Sequence, residues 1–134
     1  MITLFFGLIV AVTAVDLITK YTIEGLLNPG IAWGWGARLP WLWLVVVIFS
    51  FILAAALIWW FLCSKKRTWL STVGLGVFVG GILGNAIDRL ITGGPVHDFI
   101  NFVIFKNNIA DIALTVGAAL IVLALIGENV RETR

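Results

Sequence analysis

Four long apolar stretches constrain this chain more than any other feature. Each has about 18 to 22 residues, enough to cross about 30 Å of hydrocarbon as a helix. Because 61% of the 134 residues are hydrophobic and only 12% are charged, a soluble core could not bury them all. The sequence therefore predicts an all-α membrane protein, a single domain (1–134) built as a bundle of four transmembrane helices. The predicted spans are residues 2–19, 41–62, 69–87 and 109–126.

The first stretch could also be a cleaved secretory signal. Such a signal begins with a basic segment and ends at a small-residue cleavage site. Here no basic residue precedes the apolar run, which continues into Asp16 and Lys20. We therefore predict that the first stretch is a true span.

The basic cluster Lys65, Lys66 and Arg67 determines the predicted orientation. Short loops rich in lysine and arginine face the cytoplasm, so we expect this loop and both termini on that side. Tryptophan prefers the headgroup level and lies at both ends of the second stretch. These residues are Trp33, Trp35, Trp41 and Trp43 at one end and Trp59, Trp60 and Trp69 at the other.

The connections 21–40 and 89–108 are then expected at the outer surface. Both are rich in Gly, Pro, Asn and aromatic residues, which are typical of loops. Residues 96–105 are strongly apolar but too few to span a membrane. We predict small strand or short-helix elements at the membrane surface there.

Composition excludes several classes of function. The chain has nine Lys and Arg against seven Asp and Glu, so no basic face for nucleic acid is expected. Its one cysteine, Cys63, and its one histidine, His97, cannot form a metal-binding cluster. We predict no metal, no cofactor and no nucleic-acid partner, and we interpret His97 as an ordinary interfacial residue.

Two aspartates lie where ionisable groups are costly and therefore need a reason. Asp88 ends the third stretch and Asp111 begins the fourth. Because these spans run in opposite directions, both carboxylates reach the same depth just beneath the outer interface. Asn85 and Asn108 each precede an aspartate by one helical turn, where an amide can hold a carboxylate or a water. The pattern predicts that the two carboxylates meet.

Small residues on the third and fourth stretches predict close packing beside these aspartates. Glycines at four-residue intervals let helix backbones approach each other in lipid. We therefore expect both aspartates to point into the bundle. The predicted stripes are Gly76, Gly80, Gly84 and Asp88 on the third stretch and Asp111, Thr115 and Ala118 on the fourth.

Two carboxylates held close together share a proton, so one can act as base and the other as acid on a water and a peptide carbonyl. Spacing alone also allows a simpler interpretation, in which the aspartates cap helices and reach toward the interface. A proton-coupled transporter or channel subunit is a third hypothesis, because membrane carboxylates also relay protons. The position of both acids at one face speaks against it. A non-catalytic assembly protein would leave the repeated Asn-x-x-Asp pattern unexplained.

Five short blocks resemble the lipoprotein signal peptidases, or type II signal peptidases, which are aspartic endopeptidases of the bacterial inner membrane. The resemblance implies a hydrolase that removes the signal peptide of prolipoproteins before a diacylglyceryl-modified cysteine, without a cofactor. It also implies a multi-pass protein of the cell inner membrane, in contact with membrane lipids, with its active site at the periplasmic face. We expect a monomer. The blocks are Asp16–Lys20, Asn28–Gly34, Gly80–Arg89, Val96–Phe99 and Asn108–Asp111.

The resemblance also implies roles for single residues. It implies that Asp88 and Asp111 are the catalytic dyad. We further predict that Asn108 acts on turnover and Asn28 on substrate affinity. Segment 20–28 is shorter than is usual in the family, which could weaken the grip on substrate. The residues implied to surround the dyad, shape the site or bind substrate are Asn85, Arg89, Asn108, Asn28, Gly30, Asp16, Lys20 and Asp98.

Overall fold

The computed structural model describes residues 1–29, 39, 41–101 and 106–132. The predicted site residue Gly30 and the predicted interfacial residues Trp33 and Trp35 lie outside those ranges. The described ranges contain the other predicted site residues.

Four long helices make up most of the described chain. All four are long and apolar enough to cross a membrane, with mean hydropathy between 1.7 and 2.8 over their most apolar windows. This confirms the prediction of four helices long and apolar enough to span a membrane, although α3 and α4 extend several residues beyond the predicted ends. The helices are α1 (Ile2–Thr22), α2 (Leu42–Cys63), α3 (Trp69–Thr92) and α4 (Ile109–Glu132).

Helix α3 begins and ends at residues suited to those positions. The hydroxyl of Thr68 accepts a hydrogen bond from the Ser71 N–H at 3.0 Å, and the Ser71 hydroxyl accepts one from the Thr68 N–H at 3.0 Å. At the other end, Gly93 adopts a left-handed conformation with φ of 74°. The helix therefore continues one turn past Asp88, which lies on regular helix rather than in a loop.

Helix α3 is the centre of the bundle and packs against each of the other three helices. The protein buries 56% of its apolar window, against 11% for α2. On α1, Phe5 stacks on Phe61 of α2 with 3.9 Å between ring centroids and joins Leu75 and Val79 of α3 in the core. The side chains near the end of α3 are thus held between neighbours on several sides.

The predicted glycine stripe of α3 packs against α1 rather than α4. A Cβ atom added at Gly80 would lie 2.7 Å from Val12, which is on α1. One added at Gly84 would lie 2.5 Å from the Asp16 carboxylate, also on α1. Gly76 approaches the same helix. The stripe thus brings α1, and with it Asp16, against the backbone of α3.

Helix α4 uses a different row of small residues. Gly74 and Gly81 of α3 approach α4, and a Cβ atom at Gly117 would lie 2.7 Å from a backbone nitrogen of α3. Thr115 is exposed, so the stripe predicted to match the glycines on α4 is wrong. A glycine repeat indicates which face of a helix is narrow, but it does not indicate which neighbour fills that face.

The described residues include four short strands, which form two antiparallel pairs. In the first pair, Leu26 lies opposite Asp98 and Asn28 opposite Val96. The second pair leads directly into α4. These strands confirm that the connections 21–40 and 89–108 contain strand elements, although residues 102–105 lie outside the described ranges. The strands are β1 (Leu26–Asn28), β2 (Val96–Asp98), β3 (Ile100–Asn101) and β4 (Lys106–Asn107).

Candidate active site

The carboxylate of Asp88 is fully buried and surrounded by donors. One oxygen accepts a hydrogen bond from the Tyr21 hydroxyl at 2.9 Å and lies 3.0 Å from Nδ1 of His97. The other accepts the backbone N–H of His97 at 2.8 Å and lies 3.6 Å from Nζ of Lys20. Both oxygens are therefore occupied, and Asp88 ties together α1, α3 and β2.

Lys20 and Asp16 lie one turn apart on α1 and form a buried ion pair, with 2.7 Å between Nζ and Oδ2. Lys20 also donates to the side-chain oxygen of Asn85 at 2.8 Å. The other oxygen of Asp16 accepts the backbone N–H of Ala110 at 2.7 Å. This N–H lies in the first turn of α4, where it has no partner within its own helix. Asp16 therefore attaches α1 to the start of α4.

Asn85 contacts the aspartate of the neighbouring helix. Its amide nitrogen donates to Asp111 at 2.9 Å, so the carboxylate that it holds is the one on α4 and not the one a turn later on its own helix. Residues three apart on a helix point about 60° away from each other. That difference is enough for Asn85 to face α4 while Asp88 faces α1 and β2.

Asp98, at the end of β2, is held by two asparagines. Its carboxylate accepts the amide of Asn28 at 3.0 Å and the amide of Asn108 at 2.7 Å. The oxygen of Asn108 accepts the backbone N–H of Asp111 at 3.0 Å, which caps α4. One asparagine side chain thus joins the carboxylate of Asp98 to the helix turn that carries Asp111.

Several neighbours with opposing effects determine the pKa of Asp98. Burial raises the pKa of this carboxyl above its ordinary value, and the negative charge of Asp111 raises it further. The hydrogen bonds from Asn28 and Asn108 act in the opposite direction without cancelling the rise. Asp111 is therefore close enough for its charge to act on Asp98, and its own side chain is partly exposed.

Arg89 supplies positive charge to this cluster. It is largely buried on α3 and interacts electrostatically with Asp88, Asp98 and Asp111. Its guanidinium also lies 3.4 Å from the backbone oxygen of Asn85. In the ranges that the structure describes, no group of three or more His, Cys, Asp or Glu side chains is arranged to hold a metal ion.

Sequence reasoning missed the contacts of Tyr21 and His97 with Asp88. His97 was interpreted as an ordinary interfacial residue, yet its side chain is only 22% exposed and faces that carboxylate. The alternation of side chains along β2 was the available signal, because it places His97 and Asp98 on opposite faces. A cleft of about 240 Å³ lies beside Asp98, lined by Glu24, Gly25, Leu26, Asp98 and Phe99.

A comparison with known families decides the classification. Residues 8–127 match the family described as signal peptidase (SPase) II. The chain belongs to the signal peptidase II family. This membership confirms the resemblance noted in the sequence and removes the support for a transporter, a channel subunit or an assembly protein.

The chain is also similar in sequence to individual lipoprotein signal peptidases. The lipoprotein signal peptidase of Lactiplantibacillus plantarum is 34% identical over 112 residues, which cover 81% of this chain and 71% of the relative. That of Rhodopseudomonas palustris is 39% identical over 113 residues, covering 75% of this chain and 66% of the relative. In Lactococcus lactis the values are 38% over 111 residues, with 80% and 69% covered. The chain thus spans about two thirds of these relatives.

Two solved structures share the fold of this signal peptidase II family member. One, a bacterial membrane enzyme solved at 2.3 Å, has a TM-score of 0.84 and 28% identity, covering 96% of this chain and 91% of the other. A second bacterial membrane enzyme, solved at 1.9 Å, has a TM-score of 0.80 and 30% identity, covering 93% and 94%. The architecture described above is therefore that of known membrane enzymes.

Proposed function

We infer that this chain removes the signal peptide from prolipoproteins, and we propose that it does so as an aspartic endopeptidase with Asp98 and Asp111 as its acid pair. The scissile bond would precede a cysteine that carries a diacylglyceryl group. Family membership and the names of the relatives support the activity. The observation that supports the pair is that the side chain of Asn108 contacts both residues. It donates to the Asp98 carboxylate and accepts the backbone N–H of Asp111.

The choice of partner for Asp111 lies between Asp88 and Asp98. Asp88 remains the prediction of the sequence pattern, but its two oxygens already accept three hydrogen bonds and lie near Lys20. A carboxylate so occupied would have to break those bonds to hold a reacting water. Asp98 interacts electrostatically with Asp111, and its pKa is raised, which is the direction needed in the member of the pair that donates a proton.

In the proposed reaction, Asp111 takes a proton from water as the water oxygen attacks the carbonyl carbon. Protonated Asp98 gives its proton to the carbonyl oxygen, so a neutral diol forms. The carbon–nitrogen bond then breaks as the proton on Asp111 moves to the amine nitrogen. One diol hydroxyl returns a proton to Asp98. The products are a carboxylic acid and an amine, and both aspartates regain their starting states.

We also propose that the acid pair lies at the outer face, with both termini in the cytoplasm. The basic cluster Lys65, Lys66 and Arg67 precedes α3, whereas Asp88 lies near its other end. Cys63, the one cysteine of the chain, is exposed beside that cluster. A membrane-impermeant maleimide applied to spheroplasts should leave Cys63 unlabelled, and should label a Leu26→Cys variant that lacks Cys63. The reverse result would invert the orientation.

The acid pair is tested with purified protein and a diacylglyceryl-modified prolipopeptide in detergent. We expect Asp98→Asn and Asp111→Asn to lower turnover by about 10²- to 10⁴-fold, because each removes one partner of the proton exchange. Asp88→Asn should retain about 1 to 10% of turnover, since it loses only hydrogen bonds to a charged group. Thr115→Ala, an exposed change one turn after Asp111, is the control.

Two outcomes would change the assignment. If Asp88→Asn is inactive while Asp98→Asn still cleaves, the dyad predicted from the sequence pattern is right and our proposed pair is wrong. If all three variants cleave at the parent rate, the aspartic mechanism itself fails. Elution volume and thermal unfolding of each variant separate loss of chemistry from loss of fold.

A further inference from the structure

We propose that Tyr21 and His97 are positioning residues that act through the buried carboxylate of Asp88 to hold strand β2, so that Asp98 is presented to Asp111. This inference rests on the proposed function, because it concerns the placement of the proposed acid pair. In this arrangement Asp88 is an anchor for β2 rather than a partner in proton exchange.

His97 contacts both oxygens of the Asp88 carboxylate. The backbone N–H of His97 donates to one carboxylate oxygen at 2.8 Å, and Nδ1 lies 3.0 Å from the other. Two bonds to the two oxygens of one carboxylate fix both the backbone and the side chain of this residue. The next residue in the strand is Asp98, so fixing His97 also fixes the point from which Asp98 projects.

The strand that carries Asp98 is short. β2 consists of Val96–Asp98, and within the part of the chain that the structure describes it pairs with β1 alone, which also has three residues. Isolated two-stranded ribbons are marginally stable in water, so such a pair does not hold its own position. Side chains alternate between faces along a strand. His97 is thus free to contact Asp88 while Asp98 contacts Asn28 and Asn108.

Tyr21, which lies on α1, also contacts Asp88. Its hydroxyl donates to the same carboxylate at 2.9 Å, and its ring lies 5.0 Å from the His97 ring, tilted by 58°. Lys20 is 3.6 Å from that carboxylate and supplies the opposite charge. Asp88 is therefore held by α1 and holds β2, which connects the first span to the position of Asp98.

The ring of His97 must present a protonated Nδ1 in this arrangement. An ionised carboxylate only accepts hydrogen bonds, so Nδ1 has to carry the donated hydrogen. His97 is the one histidine of the chain, so its ring nitrogens give an unambiguous ¹⁵N NMR signal in labelled protein. We expect protonated Nδ1 at pH 8 and a changed Nδ1 signal in Asp88→Asn. An unprotonated Nδ1 would overturn the proposal.

The kinetic test uses two substitutions of similar size at His97. Asparagine keeps a donor near the position of Nδ1, whereas leucine removes it. Loss of a hydrogen bond to a charged group should lower kcat by about 10- to 100-fold in His97→Leu, and His97→Asn should recover most of that loss. KM for the lipidated prolipopeptide should change by less than about twofold, since the contact is not with substrate.

Tyr21→Phe is a milder test, because it removes one oxygen from a residue that is half exposed. It should lower kcat by about 3- to 10-fold. The double variant Tyr21→Phe/His97→Leu should lose less than the product of the single losses, because both residues act through Asp88. A Tyr21→Phe enzyme with the parent kcat, or equal kcat in His97→Leu and His97→Asn, would overturn the inference.

This inference and the proposed function fail in different ways. If Asp98→Asn cleaves at the parent rate, the proposed acid pair is wrong and this inference is overturned with it. If Asp98→Asn is inactive but His97→Leu and Tyr21→Phe cleave at the parent rate, only the inference about positioning is overturned. Inactive Asp98→Asn together with a donor-dependent kcat at position 97 supports both.

Discussion

The amide of Asn85 on α3 donates a 2.9 Å hydrogen bond to Asp111 on α4, while its oxygen accepts one of 2.8 Å from Lys20 on α1. The orientation of this amide is therefore determined, with its oxygen toward the cation and its nitrogen toward the carboxylate. Asn85 connects the buried charges of α1 to the aspartate that we assign as the base.

We predict that Asn85→Leu lowers kcat by about 10- to 100-fold, because it removes the donor that orients Asp111 and leaves Lys20 one acceptor short. Asn85→Asp should lower kcat further, since it places a second negative charge against Asp111. Steady-state kinetics on the lipidated prolipopeptide measure both, with Thr115→Ala as control. Parent-like kcat in Asn85→Leu would show that Asp111 is oriented by other contacts.

The contact between Gly84 and Asp16 leads to a second prediction. A Cβ at Gly84 would lie 2.5 Å from the Asp16 carboxylate, so Gly84→Ala should displace Asp16 from Ala110 and destabilise the protein by about 1–3 kcal/mol. Gly7→Ala is the matched control, because nothing lies within 4 Å of its added Cβ. It should be neutral or stabilise by up to about 1 kcal/mol.

Thermal unfolding in detergent compares these two alanine variants directly. Gly84→Ala should lower the unfolding midpoint and kcat together, whereas Gly7→Ala should lower neither. If Gly84→Ala keeps the parent midpoint, Asp16 can move aside without loss, and the close approach of α1 to α3 is not needed for the site.

The spans could be predicted from sequence because hydropathy over a window of about 20 residues depends only on local composition. The ion pair of Asp16 and Lys20 also depends only on local sequence, since the two residues are one turn apart on one helix. The helix that packs against each row of glycines could not be predicted in this way, because a repeat along α3 does not indicate which helix lies against it.

The contacts of Asp98 could not be predicted from the local sequence. The repeated Asn-x-x-Asp pattern favoured Asp88, which lies on a regular helix with its asparagine one turn away. Asp98 lies on a three-residue strand whose partner, β1, is some 70 residues distant in sequence. Only the assembled fold brings Asn28 and Asn108 onto the same carboxylate, so its importance could not be deduced from spacing.

The buried cation Lys20 provides a third prediction. It pairs with Asp16 at 2.7 Å and lies 3.6 Å from Asp88, and all three side chains are fully buried. Lys20→Met would leave Asp16 without the cation that pairs with it and would remove one of the two cations that the structure places near Asp88, so we expect a loss of about 3–5 kcal/mol in the free energy of unfolding. Lys65→Met, at an exposed position, should change it by less than about 0.5 kcal/mol.

A double variant tests whether charge is the cause. Asp16→Asn keeps an oxygen to accept the Ala110 N–H but removes one of the negative charges. Combined with Lys20→Met, it should recover part of the lost stability, measured by denaturant unfolding in detergent. If the double variant is less stable than Lys20→Met, the loss comes from packing around the lysine chain rather than from unpaired charge.

The hydrogen bonds that Asn28 and Asn108 donate to Asp98 lead to the last prediction. It differs from the prediction made from the sequence, in which Asn28 acts on substrate affinity and Asn108 on turnover. Both amides lower the pKa of Asp98 against the effect of burial, so removing either should raise that pKa. Because Asp98 works as the protonated acid in our proposal, the high-pH limb of the kcat profile should move to higher pH in Asn28→Ala and in Asn108→Ala. Asn108→Ala should also lower stability by about 0.5–2 kcal/mol, since it removes the cap of α4. Asn107→Ala, next to the cap, is the control. A higher KM in Asn28→Ala with an unchanged pH profile would instead support the prediction from the sequence that Asn28 acts on substrate affinity.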